Sequence, residues 1–371
     1  KMAFSRRHVS QYWLTALLSW GCALTVTGFQ TSCTFHAKSN RPASTCSLAG
    51  TALLRGDIVR ERRQNAVMGL RAQFAMPTLE CVKNTRDLAS VTGSPVKAGR
   101  AFRTSCVGTA SENDSCIIIE NIKTLIDLRS DREYQMDAEK YNSTVWASYD
   151  EMIYSVKKSK SGRATALIPT RAEGSIPRAR HMLSVIDESI YKRGVFKRMH
   201  PGKKIKAAAY FAVSYTRAKQ YFIDYINRAG LPLLNELILD YGGPSIKACL
   251  DVLADRSNHP VAFYCTAGKD RTGLIAMLVL SVLGVDDEAI VSDYVLSDSV
   301  YSDMKDKSAM VGALQQENLD PDTFLRAPRS VMDSTMKLLR KEYGGPHKYL
   351  ESIGFGPADV LRLRAALCDE Y

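Results

Sequence analysis

Nine consecutive residues, Cys265-Thr-Ala-Gly-Lys-Asp-Arg-Thr-Gly273, hold the most reactive chemistry in this chain. Of its nine cysteines, only Cys265 is followed six positions later by an arginine, Arg271. A turn from strand end to helix start points backbone N–H groups inward, which makes a cradle for a tetrahedral dianion. Gly268 and Gly273 permit the tight path and a close approach of backbone to ligand. Arg271 can present two parallel donors to phosphate oxygens, which lysine cannot do. The same amides and the helix dipole favour the thiolate of Cys265, a strong nucleophile. Thr272 is suited to hydrogen-bond that sulfur and stabilise it as a leaving group. Thr266, Ala267, Gly268, Lys269, Thr272 and Gly273 are therefore the expected phosphate-binding positions around Cys265 and Arg271.

Such a loop needs a strand to launch it and a helix to receive it. Pro260-Val-Ala-Phe-Tyr264 is a compact β run, and Gly273–Leu283 is apolar and helical, stopped by Gly284. Lys123–Arg129 is a second short β run ending in a charged pair, within a span from Glu80 to Tyr134 that reads as strand-like with turns, Ile117–Glu120 included. Ala207–Ala229, Pro232–Leu239 and Ile246–Asp255 look helical, and Ser330–Leu367 alternates helical stretches with Gly-rich breaks. The tetrapeptide Tyr-Gly-Gly-Pro occurs at 241–244 and 343–346, each read as a left-handed helix cap followed by a stop. Residues 155–206 are lysine- and arginine-rich with scattered Gly and Pro, and read as an exposed loop or lid with short helices. Their charges suit either a solvated surface or a basic rim attracting anionic substrates. Helices alternating with short buried strands predict an α/β fold around a parallel sheet.

The 371 residues are 45% hydrophobic and 24% charged, which excludes wholesale disorder, collagen and coiled coil. The formal charge of +11 is unevenly spread. Residues 1–78 hold ten Lys/Arg against two acids, leaving a net of +3 for the remainder, so nucleic acid is not an expected partner. Within 1–78, Arg6, Arg7 and His8 precede an apolar run from Tyr12 to Gly28, which reads as a signal peptide over about 1–28. A Ser/Thr/Ala/Arg-rich, acid-poor, transit-like segment follows over about 29–78. That two-part leader resembles those of secondary plastids, so a plastid is the expected destination, with secretion or a mitochondrion as alternatives. No stable membrane span is expected in the mature form. The cysteines show no CxxC and no histidine at zinc-ligand spacing, so neither a metal site nor a disulfide framework is expected. Cys81, Cys106, Cys116, Cys249 and Cys368 read as small core residues, and His181, His200, His259 and His347 as surface ones.

The loop and three further segments resemble the cysteine-dependent tyrosine phosphatase family typified by a secreted mycobacterial enzyme. These are Asn84-Thr-Arg-Asp-Leu88, then Gly99–Ser105 with Ile126–Glu133, and finally Ala289–Tyr294 with Glu342–Gly344, Tyr349-Leu350 and Leu361–Leu367. The likeness runs over roughly 80–155 and 230–368 and is weak over 156–229, where that family carries a helical lid. It implies a phosphotyrosine-phosphatase-like fold over 79–371, with a short, mostly parallel central sheet flanked by helices and a helical lid insertion over about 156–229.

The resemblance also implies roles. Cys265 would form a phosphocysteine, Arg271 would bind the phosphoryl oxygens, and Asp270 would be the general acid and base inside the loop. Asp127 is the fallback acid, or else a structural carboxylate paired to Arg129. Lys269 adds charge at the loop mouth and keeps an inositol phosphate substrate in view. No cofactor is implied, and the substrate would be phosphotyrosine protein or phosphoinositide, with a non-catalytic phospho-binding module as the contrasting reading. One departure stands out: the family usually places His before the cysteine, and here it is Tyr264, which donates one hydrogen bond but carries no positive charge.

Overall fold

The computed structural model describes residues 76–158, 164–171, 177–302 and 318–368. The leader expected over 1–78 lies outside them apart from its last three residues. Ala75–Tyr371 forms one compact unit. Its centre is a seven-stranded sheet with strands β1 (Arg86–Asp87), β2 (Ala101–Thr104), β3 (Thr124–Asp127), β4 (Asp150–Lys158), β5 (Ala164–Arg171), β6 (Ala179–Met182) and β7 (Val261–Tyr264) in the order β1-β2-β7-β3-β6-β4-β5. The inner neighbours from β2 through β7, β3 and β6 to β4 are parallel, and the two outermost pairs are antiparallel. In the register, Thr104 and Asp127 flank Tyr264, so three strand ends meet where the reactive loop begins. Open parallel sheets place ligands there, beyond the carboxyl ends of their strands.

Period-two alternation along the strands divides the interior into two cores. Val261, Phe263 and Cys265 join the larger one, built on helices α7 (Gly243–Leu253) and α8 (Asp270–Val282). Ala262 and Tyr264 face the smaller one, with Phe102, Leu125, Ile118 of helix α1 (Glu112–Asn121) and Trp146 of the short helix α3 (Thr144–Ala147). Ten of the thirteen residues of α8 are buried, so that helix is apolar nearly all round because protein covers it on every side.

Helix α2 (Asp131–Lys140) starts at a capping box in which Ser130 and Glu133 satisfy each other's backbone donors. After β6 come α4 (Glu188–Arg198), α5 (Pro201–Val213) and the long α6 (Tyr215–Tyr241). Gly230 kinks α6 at φ +58°, two residues before Pro232. The C-terminal half adds α9 (Asp287–Ser302), α10 (Pro321–Leu325), α11 (Arg329–Leu338), α12 (Pro346–Ser352) and α13 (Pro357–Leu367).

Several local expectations change. Ile117–Glu120, read as strand-like, lies in α1, because Ser111 caps a helix whose Ile118 alone of the three isoleucines is fully buried. Strands β4, β5 and β6 occupy much of 155–182, where a lid was expected. Lys157 and Lys158 end β4 and pair with Ala166 and Ala164 of the edge strand β5, whose Pro169 blunts further pairing. Of the two Tyr-Gly-Gly-Pro segments, the second has the left-handed cap, at Gly344 (φ +78°). The first does not: Gly242 has φ −83° and is small because a Cβ would lie 2.6 Å from the carbonyls of Ile238 and Val185. Cys81 and Cys116 are exposed, whereas Cys106, Cys249 and Cys368 are buried. His181 and His259 are buried rather than superficial, since one belongs to the inner strand β6 and the other donates from Nε2 to the Leu253 carbonyl at 2.8 Å.

Candidate active site

Cys265 leaves the end of β7, and the chain turns through Thr266, Ala267, Gly268 and Lys269 into α8, which opens with Asp270 and Arg271. Gly268 makes this turn possible. Its φ is +64°, and a Cβ there would sit 2.4 Å from the carbonyl oxygen of Thr104 on β2. Arg271 is held end-on by Glu133 of α2: Nη1 donates to Oε2 and Nη2 to Oε1, both at 2.7 Å. Thr266 Oγ1 donates to the same carboxylate at 2.8 Å, and the Ser130 amide does so at 3.0 Å. Burial opposes ionisation of Glu133, but the charge and hydrogen bonds of Arg271 outweigh it and hold the carboxyl far below the usual range. Conversely, burial opposes the charge of Arg271 and Glu133 restores it, raising its pKa; Cys265 and Asp270 both lie near enough to contribute. A guanidinium has a second bidentate edge, through Nε, so the Glu133 grip aims that edge without consuming it.

The outward face of the loop is equally constrained. Asn84, itself at φ +58°, donates from Nδ2 to the carbonyls of Ala267 (3.1 Å) and Gly268 (2.9 Å). Arg103 of β2 donates to the Gly268 carbonyl at 3.0 Å and is fixed by Asp293 of α9. Arg86 of β1 reaches the other oxygen of Asp293 at 2.6 Å. Burial pushes the Asp293 carboxyl up, and the two arginines overcome that and hold it ionised, with Arg103 the larger influence. Drawing these carbonyls outward obliges the alternate face of the loop, its amides, to point inward. Two dianion-binding devices, an amide cradle and an aimed arginine, thus converge beside a buried cysteine.

A model of a tyrosine phosphatase family matches residues 77–369. The chain belongs to that family. Among its curated relatives, it is 33% identical over 135 residues to a tyrosine-protein phosphatase of Nostoc commune, covering 35% of this chain and 46% of the relative. It is 31% identical over 123 residues to the triple specificity protein phosphatase PtpB of Mycobacterium tuberculosis, covering 30% and 45%. The matched stretch thus spans less than half the length of either relative.

In this member of the family, the other expected site residues separate into two groups. Asp127, Arg129 and Tyr264 form a fully buried cluster on the far side of the sheet. Arg129 donates to both Asp127 oxygens, at 2.9 and 2.8 Å, and the Tyr264 hydroxyl donates to Asp127 Oδ2 at 2.9 Å. Burial, with Asp127 adding to it, keeps the Tyr264 hydroxyl protonated. Because β7 alternates, Tyr264 and Cys265 face opposite cores although they are sequence neighbours. Neither Asp127 nor Tyr264 points toward the loop.

The second group stays at the loop. Asp270 opens α8, with Oδ1 3.0 Å from the Lys269 ammonium. Lys269 is only 2% exposed, and its ammonium donates to the carbonyls of Phe324 (3.0 Å) and Arg326 (2.7 Å), closing the end of α10 onto the loop instead of projecting from its mouth. The Thr272 hydroxyl is buried and makes no hydrogen bond among the described residues, the sulfur of Cys265 included. Glu133, Arg103 and Asp293 had no assigned role from sequence. The Ser130-x-x-Glu133 capping signature was readable there, but its reach to Arg271 was not.

Proposed function

We propose that this chain hydrolyses phosphomonoesters, with protein phosphotyrosine as its main substrate class. The Cys265 thiolate attacks phosphorus, the phosphorus–oxygen bond breaks, and Asp270 gives its proton to the departing oxygen. Water then attacks the phosphocysteine and loses its proton to Asp270; the phosphorus–sulfur bond breaks, releasing phosphate and the thiolate. Arg271 and the loop amides hold the three phosphoryl oxygens throughout. The observation that carries this reading is the grip of Glu133 on Arg271 across the mouth of a loop whose Ala267 and Gly268 carbonyls are drawn outward.

Phosphoinositide is the second reading, since the PtpB relative is named for a triple specificity. It loses the support of Lys269, whose ammonium is spent on the Phe324 and Arg326 carbonyls. The test is phosphate release by residues 75–371 from phosphotyrosine peptide, phosphoserine peptide and phosphoinositide, in the presence of a chelator. The expected result is chelator-resistant turnover, highest on phosphotyrosine, that vanishes in Cys265→Ser while phosphopeptide binding persists. Equal, negligible release by wild type and variant, with peptide still bound, would instead make this a phospho-binding module. For location we propose a plastid, on the composition of residues 1–78. A fluorescent fusion carrying that segment tests it, and accumulation outside the plastid rejects it.

A further inference from the structure

Helix α5 contains eight apolar residues, among them Ile205, Tyr210, Phe211 and Val213, yet none of its thirteen residues is buried. Ile205 is 71% exposed and Val213 75%. With Ala209 and Ala212 they recur at helical spacing and form one solvent-facing apolar stripe. Lys203 and Lys206 border one edge of the stripe and Lys204 borders the other. Among the described residues none of these three lysines pairs with a carboxylate; Lys203 and Lys206 lie over the rings of Tyr225 and Tyr221, and Lys204 donates to the Lys197 carbonyl. From Tyr191 to Ile223 the chain has nine Lys/Arg and no acid.

We propose that α5 docks the protein onto anionic phospholipid surfaces, with the Ile205–Val213 stripe in the acyl boundary and the flanking lysines at the headgroups. An apolar stripe bordered by lysines without carboxylate partners is the pattern of an interfacial helix. The charge pattern disfavours a second copy of this face, which would bring two acid-free basic surfaces together. No helix among the described residues is long and apolar enough to cross a membrane, so the attachment is peripheral. It also bears on the active site. Asn227 of α6, against which α5 packs, hydrogen-bonds Asn318 and Asp320, and the helix they introduce, α10, takes the Lys269 ammonium on its terminal carbonyls. The docking helix is therefore linked to the reactive loop through two helices.

The test is co-sedimentation of residues 75–371 with phosphatidylcholine vesicles, with and without phosphatidylserine. Wild type is expected on the phosphatidylserine vesicles only, with binding that weakens in salt. Ile205→Asp with Val213→Asp should abolish it, and Lys203→Glu or Lys206→Glu should each weaken it by roughly fivefold or more. All variants should keep the wild-type circular dichroism spectrum and thermal melt, which shows that they fold. Failure of wild type to bind, or undiminished binding by the folded variants, overturns the proposal. So does a lipid-free dimer that the Ile205→Asp change dissociates, which would assign the stripe to a second copy. Vesicle binding does not depend on phosphatase activity, so its failure and that of the catalytic reading are separable.

Discussion

Glu133 shows how one carboxylate can serve folding and chemistry together. It closes the α2 capping box through Ser130 and orients Arg271 through two charge-assisted hydrogen bonds. Glutamine preserves the cap but loses the charge. Glu133→Gln is therefore expected to keep the α2 cap but lower the melting temperature, since the largely buried Arg271 charge loses its partner. It should lower kcat/KM by roughly ten- to a hundredfold, the scale of one or two such bonds. Steady-state kinetics beside a thermal melt checks both halves. Tyr264→Phe should instead affect stability alone. Removing its bond to Asp127 costs about 1–2 kcal/mol of stability in a denaturant titration. Turnover should stay near wild type, because this ring faces the core opposite Cys265.

At the scale of the element, the reactive loop is shaped by its neighbours as much as by its own residues. Gly268 meets the Thr104 carbonyl so closely that Gly268→Ala must displace either the loop or β2. Strain at positive φ alone costs about 1–3 kcal/mol, and the displaced amides should reduce turnover to near background. Comparing the stability and activity of this variant with Gly284→Ala separates the contact from the strain. Gly284 also has positive φ (+89°), but its Cβ would meet nothing within 4 Å. Helix α8 offers a third handle: Leu278 is fully buried, and Leu278→Ala should cost roughly 2–5 kcal/mol in the same titration.

For the whole molecule, the inner strand β6 introduces a pH dependence. Burial pushes the His181 imidazole down to about 4, and the Tyr154 hydroxyl is its hydrogen-bond neighbour. An unfolded histidine titrates near 6.5, so between these values the unfolded chain binds a proton that the folded chain does not. Stability should therefore fall as pH drops through that window, by up to roughly 3 kcal/mol. His181→Leu should flatten this slope in melts taken across the range, and an unchanged slope would place the titrating group elsewhere.

Much of the reactive loop was legible in sequence because its constraints are local. Cysteine, arginine spacing, two glycines, a preceding β run and a following apolar helix all lie within one short stretch of chain. The α/β class was legible for the same reason, through hydrophobic period. The sheet's outer strands were not, since the lysine-bearing end of β4 looks like a solvated loop until β5 supplies its partner. Nor could sequence show which side of β7 each neighbour occupies, so Tyr264 seemed to belong to the chemistry of Cys265. Sequence left Asp127 as either a fallback acid or a carboxylate paired to Arg129, and the fold selects the pairing, whereas Lys269, expected at the loop mouth, is bonded to α10. The residues that aim the loop, Asn84, Arg103, Glu133 and Asp293, come from four separate segments. Only the folded chain brings them together, because hydrogen bonds between distant segments leave no periodic trace in the sequence.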